Sequence, residues 1–257
     1  MFCVLLVEEG KRRRGSATYR KPKKRYVKYG SFGYEIISTR AKRNRLNYDK
    51  ISRAINGRAT IKQVDINITE NGSFSLFDAT RYKQHIEIKT ILSILTKAAE
   101  YKRWIPIAFI DMNCRFCGCL ELLMNISGEV YIITNEIEQY NEYASEYFSL
   151  FGVAPIVTNG SDIQSKCSVI FSPEGIGILP LDKVVFAPQN EFYHIDGDCL
   201  SMISGCPEKI DKIEFAGALF EMCKIERLGD IKADYMKRNG IKEDIKSIVE
   251  GICLDIS

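Results

Sequence analysis

The sequence contains no run approaching the roughly 18 apolar residues that a membrane-spanning helix needs, so no such helix is expected. No G-x-G-x-x-G follows the first apolar run and no G-x-x-x-x-G-K-[ST] occurs, which removes both glycine-rich loops that commonly cradle phosphates. A G-x-S-x-G elbow and an H-E-x-x-H helix are also missing. The two histidines, His85 and His194, are too few and too separated for a triad, so a hydrolase is not indicated. Nine cysteines is an odd number, and their spacing forms no disulfide framework. Reduced thiols and a cytoplasmic protein are the expectation. At the start, Met1-Phe2-Cys3-Val4-Leu5-Leu6-Val7 carries no charge before its apolar run, which argues against a signal peptide and for a first strand.

Acid is nearly missing from one long stretch. Between Lys11 and Arg45 there are fourteen Lys/Arg and a single acid, Glu35, with Tyr19, Tyr26, Tyr29, Phe32 and Tyr34 threaded among them. The net charge of +3 therefore hides an asymmetry: residues 1–58 balance at +13 and residues 59–257 at −10. Such a split implies an anionic partner, or a basic segment lying on an acidic body. Lysines and arginines neutralise phosphates while interleaved aromatics stack bases, so nucleic acid suits the composition. The favoured reading is a structural or interaction role, with the arm on an acidic protein surface, in a partner or in a second copy of the chain; a small anionic ligand, such as a phosphate held by Arg12–Arg14 or Lys23–Arg25, is the third alternative. The residues assigned to this contact are Lys11, Arg12, Arg13, Arg14, Arg20, Lys21, Lys23, Lys24, Arg25, Tyr26 and Lys28. Because strand-like residues flank the arm, it reads as a cationic loop or hairpin between ordered strands.

At 257 residues and 46% hydrophobic composition the chain can bury one large core or two modest ones. Phe2–Val7 reads as a strand, residues 26–37 as extended chain with Gly30 and Gly33 allowing a kink, and Asn47–Ile55 as a short helix ended by Asn56-Gly57. Ala59–Thr69 alternates, and Asn71-Gly72 then signals a hairpin into Phe74–Phe77. From Glu87 the period becomes helical, with Ile88, Ile91, Leu92, Leu95, Ala98 and Ala99 on one face. Short apolar strands at 105–111, 129–134, 153–157, 168–171 and 184–186 then alternate with helical stretches. Asn135 reads as a helix cap paired with Glu138. The tail shows two helical stripes, one on Ile213, Ala216, Phe220 and Cys223, the other on Ile241, Ile245, Ile248, Val249 and Ile252.

This alternation predicts an α/β fold with a Rossmann-like open, mostly parallel three-layer sheet. A smaller, mainly β region precedes it and helices follow. The expected division is 1–85 with the basic arm, then 86–257. The run Tyr131–Gly177, a strand–helix–strand–strand pattern ending in Ser172-Pro173-Glu174-Gly175, is similar in layout to the later units of Rossmann-like dehydrogenases. That resemblance covers about a fifth of the chain and implies the fold without a cofactor site.

Two further groups carry chemistry. Open α/β sheets bind ligands where strands end and their order reverses, so Asp111, Thr134, Asn135, Asn159, Glu174 and Gly175 are candidates for a nucleotide or a small anionic metabolite. Cys114, Cys117 and Cys119 open a predicted helix, where a lowered thiol pKa would suit redox work. Alternatively they supply three ligands of a zinc site completed by His194, Cys199 or Cys206. Plain reduced thiols are the simplest reading. Two functions from different classes follow: a non-catalytic interaction protein working through the arm, or a Rossmann-like enzyme or sensor.

Overall fold

The computed structural model describes residues 1–8, 21–29, 32–40, 46–65, 75–101, 105–160, 166–175, 184–187, 193–194, 206–233, 235–238 and 241–254. The first half runs β1 (Cys3–Glu8), β2 (Lys23–Tyr29), β3 (Phe32–Arg40), α1 (Tyr48–Ile55), β4 (Thr60–Lys62), α2 (Thr80–Tyr101) and β5 (Ile107–Ile110). Then come α3 (Leu120–Ile126), β6 (Val130–Ile133), α4 (Ile137–Phe151), β7 (Ile156–Thr158), β8 (Val169–Phe171) and β9 (Val184–Phe186). The chain closes with β10 (Tyr193–His194), α5 (Lys212–Cys223), β11 (Tyr235–Arg238), β12 (Ile241–Asp244) and α6 (Ile245–Leu254). No described helix is long and apolar enough to cross a membrane.

Two compact units emerge: Met1–His85 with Gly197–Ile231, and Ile86–Asp196 with Lys232–Ser257. The stretch 197–231, placed by sequence in the second region, thus groups with the first. The first unit holds a four-stranded sheet of order β2-β3-β1-β4, in which β1 runs parallel to both β3 and β4. Strands β2 and β3 form an antiparallel ladder from Lys23↔Ser38 to Tyr29↔Phe32. Residues 26–37, read from sequence as extended chain with a kink allowed at Gly30 and Gly33, thus divide between two paired strands. The hairpin expected from Asn71-Gly72 also differs. Leu76 bridges Thr60 in the parallel sense, so 75–77 runs alongside β4 in its own direction. The turn itself lies outside the described residues.

Aromatic packing closes this unit. Phe2 stacks on Tyr34 at 5.4 Å between centroids, and Phe215 of α5 meets both edge-on at 5.7 and 5.1 Å. Asp211 caps α5, its carboxylate accepting from the N–H groups of Ile213 and Glu214. On the opposite side of the sheet, α1 buries Ile51 and Ile55 against Cys3, Leu5 and Ile37.

The second unit contains five parallel strands in the order β7-β6-β5-β8-β9. Counted from β5, this is 3-2-1-4-5, the doubly wound order. Both faces of β5 are covered, for all four of its residues are buried. Ile107 and Phe109 pack with residues of α2, α3, α4 and α6, while Ala108 and Ile110 face the opposite cluster with Ile133 and Ile170. The protein is thus α/β with a Rossmann-like open, mostly parallel sheet. A separate antiparallel sheet, β10-β11-β12, includes Ile241, which sequence periodicity had assigned to a helical stripe.

Candidate functional site

Because β5 is central and the order reverses between it and β8, the loops after these two strands border the crevice of the second unit. Asp111 is the first residue beyond β5 and is fully buried. Its carboxylate accepts from the backbone N–H of Arg115 at 3.0 Å and of Phe116 at 2.7 Å, and from the Tyr140 hydroxyl of α4 at 2.6 Å. A buried carboxylate is tolerable only with such donors. The loop 111–116 therefore wraps around its own anion. Two of the amides that a glycine-rich loop would present to a phosphate are turned onto Asp111 instead. Cys114 adopts φ +51° at the tightest point of the loop.

Across the crevice, the turn after β8 runs Ser172-Pro173-Glu174-Gly175. The Gly175 N–H donates to the Ser172 carbonyl at 3.1 Å, and the Ser172 hydroxyl donates to the Gly175 carbonyl at 2.7 Å. Gly175 has φ +92°, a conformation costly for any residue with a Cβ. The turn aims Glu174 at the β5 loop. Asn113 donates its amide to both carboxylate oxygens, at 3.1 and 2.9 Å, and Arg115 Nε lies 3.5 Å from Oε1. Arg115 remains 71% exposed. Its cation is available to a ligand.

The other sequence candidates occupy the same edge with different duties. Thr134 is buried at the end of β6, and its hydroxyl accepts from the Glu136 N–H at 3.0 Å. Asn135 is exposed, its N–H donating to the Met112 carbonyl at 3.3 Å, which ties the β6 and β5 loops together. It does not cap α4: that helix starts at Ile137 from Glu136, which makes no side-chain cap bond. The expected Asn135–Glu138 pair is thus displaced by Thr134, whose shorter side chain reaches the first amide. Asn159 is exposed in the turn after β7. Sequence reading does not single out Arg115 or Tyr140. The first sits inside a cysteine motif that draws attention elsewhere, and the second counts as part of an apolar helical face.

Two of the three cysteines are held in the thiol form. Burial, with the neighbouring Cys117 and Asp111, pushes the Cys114 thiol up to about 11; burial and Asp111 push Cys119 to about 11 as well. Cys117 donates to the Tyr143 hydroxyl at 3.6 Å. For Cys114 and Cys119 the shift is opposite to the lowering expected at a helix start: burial raises both, and Asp111 takes the local amides and adds its own negative charge. Among the described residues no group of three or more His, Cys, Asp and Glu is placed to hold a metal ion. Cys199, the other sequence-proposed ligand beside Cys206 and His194, lies outside the described residues.

The first unit carries the basic feature. Lys11, Arg12, Arg13, Arg14 and Arg20 lie outside the described residues. Lys21, Lys23, Lys24, Arg25, Tyr26 and Lys28 are described, and all six are exposed. All but Lys21 belong to β2, the outer strand of its sheet. The Tyr26 ring lies across Gly33 of β3, filling the space a Cβ would need. Glu35, the one acid of the stretch, turns to Arg58 at 3.0 Å, and that hydrogen bond holds its carboxyl below the usual range.

Fold and edge geometry define an α/β protein whose second unit has the doubly wound strand order. No family model matches the chain, and no curated protein matches it. Among solved structures it is similar to the L-tryptophan dehydrogenase from Nostoc punctiforme, at 14% sequence identity and a TM-score of 0.35. The match takes in 87% of this chain and 66%, just under two thirds, of that one. The fold assignment rests on the strand order.

Proposed function

We propose that the second unit binds a nucleotide or small anionic metabolite in the crevice between the β5 and β8 loops, as an enzyme or as a sensor. The observation that supports this is the pairing of Arg115 and Asn113 with Glu174 beside the strand-order reversal. An anionic group of the ligand replaces the Glu174 carboxylate on Arg115, and the freed carboxylate accepts from a ligand hydroxyl. Since Asp111 occupies the Arg115 and Phe116 amides, the guanidinium takes the part that backbone N–H groups play in a glycine-rich loop. A thermal-shift panel of mono- and dinucleotides tests the reading. A ligand at about 100 times its Kd stabilises by about 2.7 kcal/mol, and Arg115→Ala should abolish the shift. A panel without any shift sinks the idea, and a turnover assay on the bound ligand separates enzyme from sensor.

A second reading concerns β2. Its exposed Lys23, Lys24, Arg25 and Lys28, on an outer strand, support a non-catalytic contact with an acidic protein surface or nucleic acid. For nucleic acid, affinity must fall steeply with salt through counterion release; a flat salt response removes that form of the contact.

A further inference from the structure

Residues 116–165 contain seven acids and neither lysine nor arginine. Four of the acids are exposed on two neighbouring helices, Glu121 on α3 and Glu138, Glu142 and Glu146 along α4. None of these four makes an ion pair among the described residues. Between the helices lies a cavity of 280 Å³ lined by Leu120, Glu121, Tyr143, Glu146, Tyr147 and Phe151, among others. The Tyr147 and Phe151 rings sit 4.5 Å apart at 36°. Leu150, which also lines the cavity, and Phe148, next to Tyr147 along α4, remain 68% and 59% exposed. Apolar residues of this size gathered on one surface mark a contact site.

Aromatic walls with carboxylates at the rim attract one kind of group, a cation on a long apolar stem. The first unit supplies that chemistry in extended form: Lys23, Lys24, Arg25 and Lys28 with exposed Tyr26, on an outer strand. From the charge complementarity of these two surfaces we infer that the α3–α4 cleft receives the β2 strand of a second copy of the chain. One cationic side chain lies in the cavity against the packed Tyr147 and Phe151 rings, with its charge towards Glu121 and Glu146. Tyr26 covers the apolar rim at Phe148 and Leu150. Each copy has one strand and one cleft, so a two-fold pair makes the contact twice and closes, whereas a head-to-tail chain would grow. This identifies the acidic surface in the second reading above and rests on that reading.

The test is sedimentation or light scattering of the full chain at about 0.05 M and about 0.5 M salt, across which surface charge attraction is strongly screened. The expected result is a dimer at low salt that weakens at high salt. Glu121→Lys/Glu146→Lys and Lys24→Glu/Arg25→Glu each change only exposed positions and leave the circular dichroism unaltered. Each should weaken self-association at least about tenfold. Mixed together, the two variants should restore the dimer, because both contacts of the mixed pair again join opposite charges. A monomer at both salt concentrations overturns the inference, as does a dimer indifferent to both variants or a mixture that stays monomeric. If the chain is monomeric but binds nucleic acid with a steep salt slope that Lys24→Glu/Arg25→Glu removes, the second reading stands and this inference falls. If neither association is seen, both fall.

Discussion

Replacing Asp111 by alanine should be among the most damaging single changes in the second unit. The carboxylate is fully buried and takes three donors: the Arg115 and Phe116 amides and the Tyr140 hydroxyl. A hydrogen bond to a charged group contributes about 1.5–3 kcal/mol, and a buried donor left alone costs about 1–3 kcal/mol. Tyr140 is fully buried, so its hydroxyl cannot turn to water without opening the α4 contact. The three bonds share one acceptor and do not add fully, which gives about 4 kcal/mol for Asp111→Ala. That is a large part of the 5–15 kcal/mol typical of a folded domain. Tyr140→Phe removes one donor and leaves two on the carboxylate, so about 1–2 kcal/mol is expected. In the double variant the orphaned hydroxyl is gone, so its loss should fall short of the sum by about 1–2 kcal/mol. Urea unfolding followed by far-ultraviolet circular dichroism measures all three, and hydrogen exchange at the Arg115 and Phe116 amides gives a local readout. A loss below about 1 kcal/mol for Asp111→Ala, or strict additivity in the double variant, would refute the assignment of Asp111 as the anchor of this loop.

Three further expectations follow from the same structure. Lys224 closes α5 at φ +55°, so Lys224→Gly should stabilise by up to about 1 kcal/mol, whereas Gly152→Ala at φ +74° after α4 should destabilise by a similar amount; thermal melts decide both. Arg58→Ala loses the Glu35 pair and the bonds to the Ile55 and Ala54 carbonyls that finish α1, costing about 1 kcal/mol in urea titrations at pH 7. Since the Glu35 carboxyl is held below its ordinary value, that contribution is present above the unfolded value and lost as pH falls through the folded one, so the variant and parent should converge in acid. The Cys119 thiol, buried and pushed up to about 11 against an ordinary 9.0, stays protonated where the unfolded thiol ionises; stability should fall with rising pH from 9 to 11 by about 1.4 kcal/mol per pH unit for this group. A flat alkaline limb, or labelling of Cys119 at neutral pH as fast as that of a free thiol, would contradict its burial.

Much of the second unit was legible because buried parallel strands write themselves as apolar runs. Ile107–Ile110, Val130–Ile133 and Val169–Phe171 stand out against polar neighbours, and α4 shows its inward face through Tyr140, Ala144 and Tyr147. The first unit was harder. Strand β2 has cations on both faces, so period-two alternation gives no burial signal, and only its ladder to β3 defines it. Ile241 was misplaced because a four-residue strand running straight into α6 shares the helical spacing by chance. At the crevice, strand-end residues were locatable from sequence, but their duties were not. Buried Thr134 and Asp111 serve the backbone, while the exposed groups are Arg115, Asn113 and Asn135. That distinction depends on which amides lie within reach, which no linear pattern records.

The aromatic trio of Phe2, Tyr34 and Phe215 ties the beginning of the chain to a helix made about two hundred residues later, and domains are assembled in order as the chain leaves the ribosome. Until α5 has been made, Phe2 and Tyr34 have their strands but not the Phe215 ring that packs on them. The second unit's five parallel strands, all complete by Phe186, emerge while the first is still waiting. The nascent chain thus passes through a long interval in which Phe2 and Tyr34 lack their Phe215 partner. A chain cut short before α5 lacks that partner permanently, leaving the two rings as a handle for chaperones and proteases.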